Sequence, residues 1–301
     1  MGGGPQLRKF RSDGFFIDPS FYAFNENFRG GIQVASGDID GDGEDEVIAG
    51  IGPGEEPWVK VFEIDGTLIN SFLAYSRNIS GGVYVATGDL DGNGTDEIIT
   101  GVPEGYGPHV RVFNGLTGEP TITAGFFAYA KNVRTGIRVA AGDLNGDGKD
   151  EIVTGTGYGA GTHVRTFTGT GQALFTPGFF VYGENDRSGI NVAVGSLYGD
   201  GKNYIITGSG QGRASEVRVY DRYGNLRDSL VPYASSYRLG VKVAAGDVTG
   251  DLVDEIITGT SVGGGPQVRV FSPDGTLIDD FFAYSESFRG GVDVAVGYFG
   301  E

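Results

Sequence analysis

Short runs of apolar residues recur along the chain, alternating with polar ones or bounded by Gly, Asn and Asp. In one stretch Val83-Tyr-Val-Ala-Thr87 leads into an acidic loop, and Glu97-Ile-Ile-Thr100 leaves it. A glycine-rich connection, Pro108-His-Val-Arg-Val-Phe113 and a turn at Asn114-Gly115 follow. A last run, from about Ile122 to Tyr129, closes on Phe126-Phe127-Ala128-Tyr129. Short β-branched and aromatic runs separated by turn residues predict strands and hairpins. No stretch sustains an apolar period of 3.6, which predicts minimal helix.

The order of runs repeats. The acidic loop starts at 38, 89, 143, 196 and 247, positions 51, 54, 53 and 51 residues apart. Four strands in a unit of this length describe a propeller blade, whereas a solenoid would use a shorter repeat. The predicted fold is therefore an all-β propeller of four-stranded antiparallel blades in one domain. Full repeats fall at about 31–81, 82–135, 136–188, 189–239 and 240–290. Gly2-Gly-Gly-Pro-Gln-Leu-Arg8 echoes Gly263-Gly-Gly-Pro-Gln-Val-Arg269, and Val292-Asp-Val-Ala-Val-Gly297 matches a first strand. This predicts six blades, the sixth split between residues 1–30 and 291–301 and lacking its second strand. The alternative is part of a longer, seven-bladed array.

Charge and composition narrow the function classes. At 301 residues the chain can bury a sizeable core. A net charge of −17 argues against nucleic acid, which calls for basic stripes, and against a polybasic membrane contact. The absence of cysteine excludes disulfides and thiolate metal sites. No apolar run is long enough to span a bilayer. The N-terminal segment has no apolar signal region.

Much of the negative charge lies in the repeated loops, and its spacing is that of a calcium cage. Oxygen-bearing residues fall at loop positions 1, 3, 5 and 9, with Gly at position 6 for the sharp turn. The first loop offers Asp38, Asp40, Asp42 and Glu46 with the carbonyl of Glu44; the second, Asp89, Asp91, Asn93 and Glu97 with that of Thr95. The third offers Asp143, Asn145, Asp147 and Glu151 with the carbonyl of Lys149. An EF-hand is excluded, because position 12 is Ala49, Thr100 or Thr154 and no helix flanks the loop. The fourth loop has Ser196, Tyr198 and Tyr204 at ligand positions, leaving only Asp200, and is expected to bind no calcium. The fifth keeps Asp247, Thr249, Asp251 and Glu255 but carries Leu252 in place of Gly, so a fourth Ca2+ is left open beside the three expected. The last copy, from Tyr298, has no ligand.

The loop Asp-x-Asp-Gly-Asp-Gly-x-Asp-Glu, the preceding Val-Ala-x-Gly and the following Ile-Ile-Thr-Gly resemble the FG-GAP/VCBS repeat family, which includes integrin α-chain propellers. The resemblance covers essentially the whole chain. It implies a calcium cage between the first and second strands of a blade, on the lower face. Ala35-Ser-Gly37 in place of Phe-Gly, and Gly50-Ile-Gly-Pro53 in place of Gly-Ala-Pro, point to a bacterial-type repeat. No integrin ligand is therefore carried over.

Loops joining strands two and three are expected on the opposite face, where Trp58, Tyr106, His109, Tyr158, His163 and Arg213 stand among glycines. Aromatic and polar groups on such loops suit carbohydrate or protein recognition, although the glycines alone could serve blade geometry. Arg134 and Arg187 belong to a series with Arg29, Arg238 and Arg289 that could face an anion or bond neighbouring carbonyls. No nucleophile elbow, phosphate loop or zincin motif is present. The expected function is a secreted or cell-surface binding or adhesion module, not an enzyme, within a larger surface protein and with no membrane insertion. A ligand-free spacer and a polysaccharide-active hydrolase or lyase are the alternatives.

Overall fold

The computed structural model describes residues 3–122 and 125–299. They form a propeller of five four-stranded antiparallel sheets, each with its strands hydrogen-bonded in chain order. The blades span Ile32 to Leu73, Tyr84 to Phe127, Ile137 to Phe180, Ile190 to Leu230 and Val241 to Phe282. The second strand of each blade, such as Glu151–Thr156 and Glu255–Thr260, is buried at every residue, because strands lie on either edge and blades on either face. No sequence alternation marks these strands, as expected where both faces are covered. The last strand of the second blade is Phe126–Phe127; Thr123 and Ala124, inside the expected run, lie outside the described residues.

The six-blade expectation is corrected: the described residues make five complete blades. The sixth sector holds a two-stranded sheet, Gln6–Phe10 against Phe16–Tyr22, and residues 291–299 without strand pairing. The reason is local. A first strand is held in its blade by the ladder to the second, and no described segment supplies that partner here.

The ring nevertheless closes. A third-strand cation reaches into the preceding sector at all six seams. Arg111 donates to the Ala74 carbonyl and Arg269 to that of Pro232, both at 2.6 Å. Arg8 donates to Ala283 O at 3.0 Å, which joins the two ends of the chain. Aromatic pairs line the same seams, with ring centroids 4.8 Å apart for Phe72–Phe113, 5.1 Å for Phe21–Phe62 and 5.0 Å for Phe10–Phe281. Such pairs add about 0.5–1.5 kcal/mol each beyond their area. Phe127 and Phe282, one position further along the fourth strand, are exposed instead, because successive side chains alternate faces.

Candidate functional site

Each strong acidic loop is wound around its first carboxylate. Asp38 accepts N–H bonds from Gly41 and Gly43, Asp89 from Gly92 and Gly94, and Asp143 from Gly146 and Gly148. These bonds draw the chain into a tight coil around that first side chain. In the first loop, one oxygen from each of Asp38, Asp40 and Asp42 lies within 4.8 Å of the others.

The glutamate at position 9 closes the coil from inside the blade. One of its oxygens accepts the N–H of position 2, at 2.8 Å for Glu46 from Ile39 and 3.0 Å for Glu151 from Leu144. Its other oxygen is available to the loop, as Asn145 shows by donating to Glu151 Oε1 at 2.6 Å. Burial first, then the neighbouring aspartates, push the carboxyl groups of Glu46, Glu97 and Glu151 up to about 7. A buried carboxylate crowded by more carboxylates is relieved by a divalent cation. The all-oxygen donor set is that of calcium.

Position 8 has a role the sequence reading missed. The Asp96 N–H donates to Asp38 O at 2.7 Å, Asp150 to Asp89 O at 2.8 Å, and Asp45 to Tyr298 O at 2.6 Å, so each loop is tied to the preceding sector. The carboxylate lies over the glycine that precedes the neighbouring loop. A Cβ added at Gly88 or Gly297 would come within 2.7 Å of Asp150 or Asp45 Oδ2. That contact explains the glycine in Val-Ala-x-Gly. Burial, reinforced by surrounding aspartates, raises the Asp96 carboxyl to about 8. Recurrence of Asp at 45, 96, 150 and 254 was the available signal.

The fourth loop uses other chemistry. Lys202 Nζ and Tyr204 OH each lie 2.9 Å from Asp200 Oδ2, and Tyr198 OH donates to Asp228 at 2.5 Å. The lysine bond, first, holds the Asp200 carboxyl below its usual range. The fifth loop winds as the strong ones do. Leu252 takes the position-6 place at φ 68°, is 86% exposed, and donates its N–H to Asp247 Oδ2 at 2.7 Å. Glu255 accepts from Val248 at 3.0 Å, and Thr249 and Asp251 occupy the remaining ligand positions.

On the opposite face most candidate residues already have partners. Trp58 lies under the Arg77 guanidinium, 5.7 Å away, which pairs with Glu56 at 2.5 Å. Tyr106 OH donates to Asn78 O at 3.2 Å across a blade junction. His109 stacks on Phe127, and His163 on Phe180 at 4.4 Å, with burial lowering the His163 pKa. Arg213 pairs with Asp186 at 3.0 Å and covers the Tyr182 ring at 3.6 Å. Arg134 and Arg187 donate to carbonyls of their own turns, Val133 at 2.9 Å and Asp186 at 3.1 Å respectively. Tyr158 is 60% exposed.

None of those eight residues lines the channel cavity. Gln33, Tyr84, Arg138, Asn191, Lys242 and Asp293 do, one from each sector, around a volume of about 70 Å³. Each lies at the start of its first strand or of the matching segment, far from the acidic loop at the other end. Arg138 pairs with Glu104 at 2.8 Å and lies 4.3 Å over the Tyr84 ring; Lys242 pairs with Asp293 at 2.9 Å. The signal was a polar residue between apolar neighbours at this place in every copy.

Residues 135–174 match the FG-GAP repeat. The chain is 27% identical over 235 residues to integrin alpha pat-2 of Caenorhabditis briggsae, covering 64% of this chain and 19% of the relative. It is 29% identical over 153 residues to integrin alpha-PS2 of Drosophila melanogaster, covering 42% and 10% respectively. The chain thus spans less than a fifth of the length of these curated relatives. Among solved structures, the Dos1 propeller aligns over 94% of this chain and 66% of its own, at 12% identity and TM-score 0.49. The exotype rhamnogalacturonan lyase YesX aligns over 83% and 56%, at 18% identity and TM-score 0.48. The repeat match and the integrin α relatives support an FG-GAP, integrin-like propeller. No helix among the described residues is long and apolar enough to cross a membrane.

Proposed function

We propose that the protein is a calcium-stabilised, secreted or cell-surface binding module that recognises carbohydrate or protein through the face opposite its acidic loops. It would act by binding, not catalysis, as part of a larger surface protein. The observation that carries this reading is the contrast between the two faces. The lower loops repeat one backbone with one donor set, whereas the upper face gathers six different polar side chains at the channel. Repeated chemistry suits a structural ion; varied chemistry converging on one axis suits a ligand. Both histidines are held in aromatic stacks away from that axis, which supports a non-catalytic role.

In this reading Asp38, Asp40, Asp42 and Glu46 hold the first ion, with their counterparts in the second and third loops holding two more. The fifth loop would take a fourth. Calcium there neutralises carboxylates that the fold has already gathered.

Arrays of glycans and of extracellular proteins, probed with the calcium-loaded protein, test the ligand. Binding that is lost in Lys242→Ala with the melting temperature retained is the expected result. Blank arrays for the native protein would sink the binding reading in favour of a spacer.

A further inference from the structure

The three strong acidic loops share a coil, but the neighbouring blade gives them different surroundings. In the second, third and fourth blades, the turn between third and fourth strands lies on the acidic loop of the blade before. In the second blade that turn sets Gly115 so close to Ile39 of the first loop that a Cβ would collide with the isoleucine side chain. In the third, Gly169 packs on Leu90 of the second loop, where a Cβ would come within 2.7 Å of Leu90 Cβ. In the fourth blade the corresponding residue is Arg222.

Arg222 is fixed over the third loop. Its Nη1 donates to the carbonyls of Leu144 and Asn145, loop positions 2 and 3, both at 3.2 Å. Its Nη2 donates to Tyr223 OH at 2.9 Å. The guanidinium carbon lies 4.9 Å from the Tyr223 ring centroid and 5.7 Å from that of Phe175. Those two rings meet edge to face at 5.5 Å. These partners are carbonyls, a phenol and ring faces, none of which cancels the arginine's charge.

The loops also differ in charge of their own. Apart from the aspartate at position 8, which all three share, the first carries five carboxylates, on Asp38, Asp40, Asp42, Glu44 and Glu46. The second carries three, on Asp89, Asp91 and Glu97. The third also carries three, on Asp143, Asp147 and Glu151, but sets Lys149 among them. Lys149 lies beside the second loop too, its Cγ 3.3 Å from where a Cβ on Gly92 would stand. It therefore weighs on both loops, whereas Arg222 is bonded to the third. Calcium affinity in an oxygen-donor loop is tuned by ligand charge and by rigidity.

We propose that these three sites are graded in calcium affinity, the first tightest and the third weakest, and that Arg222 sets the weakness of the third. The grading rests on the calcium reading above. The first ion then stays bound, while the third exchanges with the surrounding calcium. Arg222 has two opposed effects on the loop: its hydrogen bonds brace the coil, and its charge repels the ion. The charge decides, because it acts against a doubly charged ion, whereas the two carbonyl bonds can be kept by a neutral donor.

Calcium titration of the full chain, read by calorimetry and by ion counts in native mass spectra, tests the grading. Asp42→Ala, Asp91→Ala and Asp147→Ala should each delete one binding step and so assign it. The step lost with Asp42→Ala should be the tightest of the three, and that lost with Asp147→Ala about tenfold weaker. Arg222→Gln keeps a donor for the carbonyls and removes the charge. It should tighten the third step about fivefold and leave the first unchanged. Glu44→Lys, which gives the first loop the third's residue at position 7, should weaken the first step. Raising the salt concentration should draw the first and third steps together. A third step weakened by Arg222→Gln would show that the arginine only braces the loop, and would overturn its role. Equal affinities at all three loops would overturn the grading with calcium binding intact. No uptake of calcium at all would overturn the calcium reading and the grading with it.

Discussion

The third and fourth acidic loops lie in neighbouring blades, turn on glycines at the same two places, and balance charge in opposite ways. Gly146 and Gly148 have φ of 82° and 83°, and Gly199 and Gly201 have 60° and 71°. The third loop surrounds Asp143 with backbone N–H groups and adds Asp147 and the buried Glu151, an excess of negative charge the protein itself does not neutralise. The fourth has shed its first and ninth carboxylates and supplies its own cation, Lys202, against Asp200. The turn therefore does not depend on a metal. The carboxylates gathered by the turn are what a bound cation would neutralise. Two loops of one backbone can serve as a metal site and as an internal ion pair.

The largest expected effect is removal of calcium. An ion that binds only the folded chain stabilises it by about 2.7 kcal/mol per site at a hundredfold excess over Kd. Chelation should lower the melting temperature by roughly 10 °C, and an unchanged Tm would refute the structural ion. Next is Asp42→Ala, which should remove one bound ion by mass spectrometry, whereas Asp200→Ala should leave the ion count unchanged. Loss of an ion from Asp200→Ala would erase the distinction between the loops. A third experiment converts one loop into the other: Ser196→Asp, Tyr198→Asn and Tyr204→Glu together should add one ion. The smallest effect is expected for Leu252→Gly. A left-handed non-glycine residue costs about 1 kcal/mol, so this change should raise stability by about that amount in urea melts.

Much of this was legible in the sequence. The loop spacing located the acidic coils, and the strand-loop-strand order located the blades, because both depend on residues near one another along the chain. The blade count was not, since Val292-Asp-Val-Ala-Val-Gly297 reads as a strand while no described segment forms a ladder with it. The seams were hidden for the same reason. Arg111 stands in Val-Arg-Val-Phe as an ordinary outward residue, and only the neighbouring blade shows that it caps the Ala74 carbonyl. Asp96 was visible as a repeated letter, but its partner, Gly37, belongs to another repeat. In Phe126-Phe127 the pattern named two aromatics, and the pleat decided which one enters the seam.

The arginine and lysine seams also set an order of assembly. Five of them join residues 37 apart in the chain, while the bond from Arg8 to Ala283 spans 275. Bringing the distant pair together costs about 1.8 kcal/mol more in chain entropy than any of the others. Neighbouring blades can therefore dock as soon as each pair exists, and the ring locks last, in a step whose speed depends on chain length between its ends. Pulse-labelled refolding should show amides around Gln6–Phe10 protected after those of the central blades; earlier protection there would reverse the order.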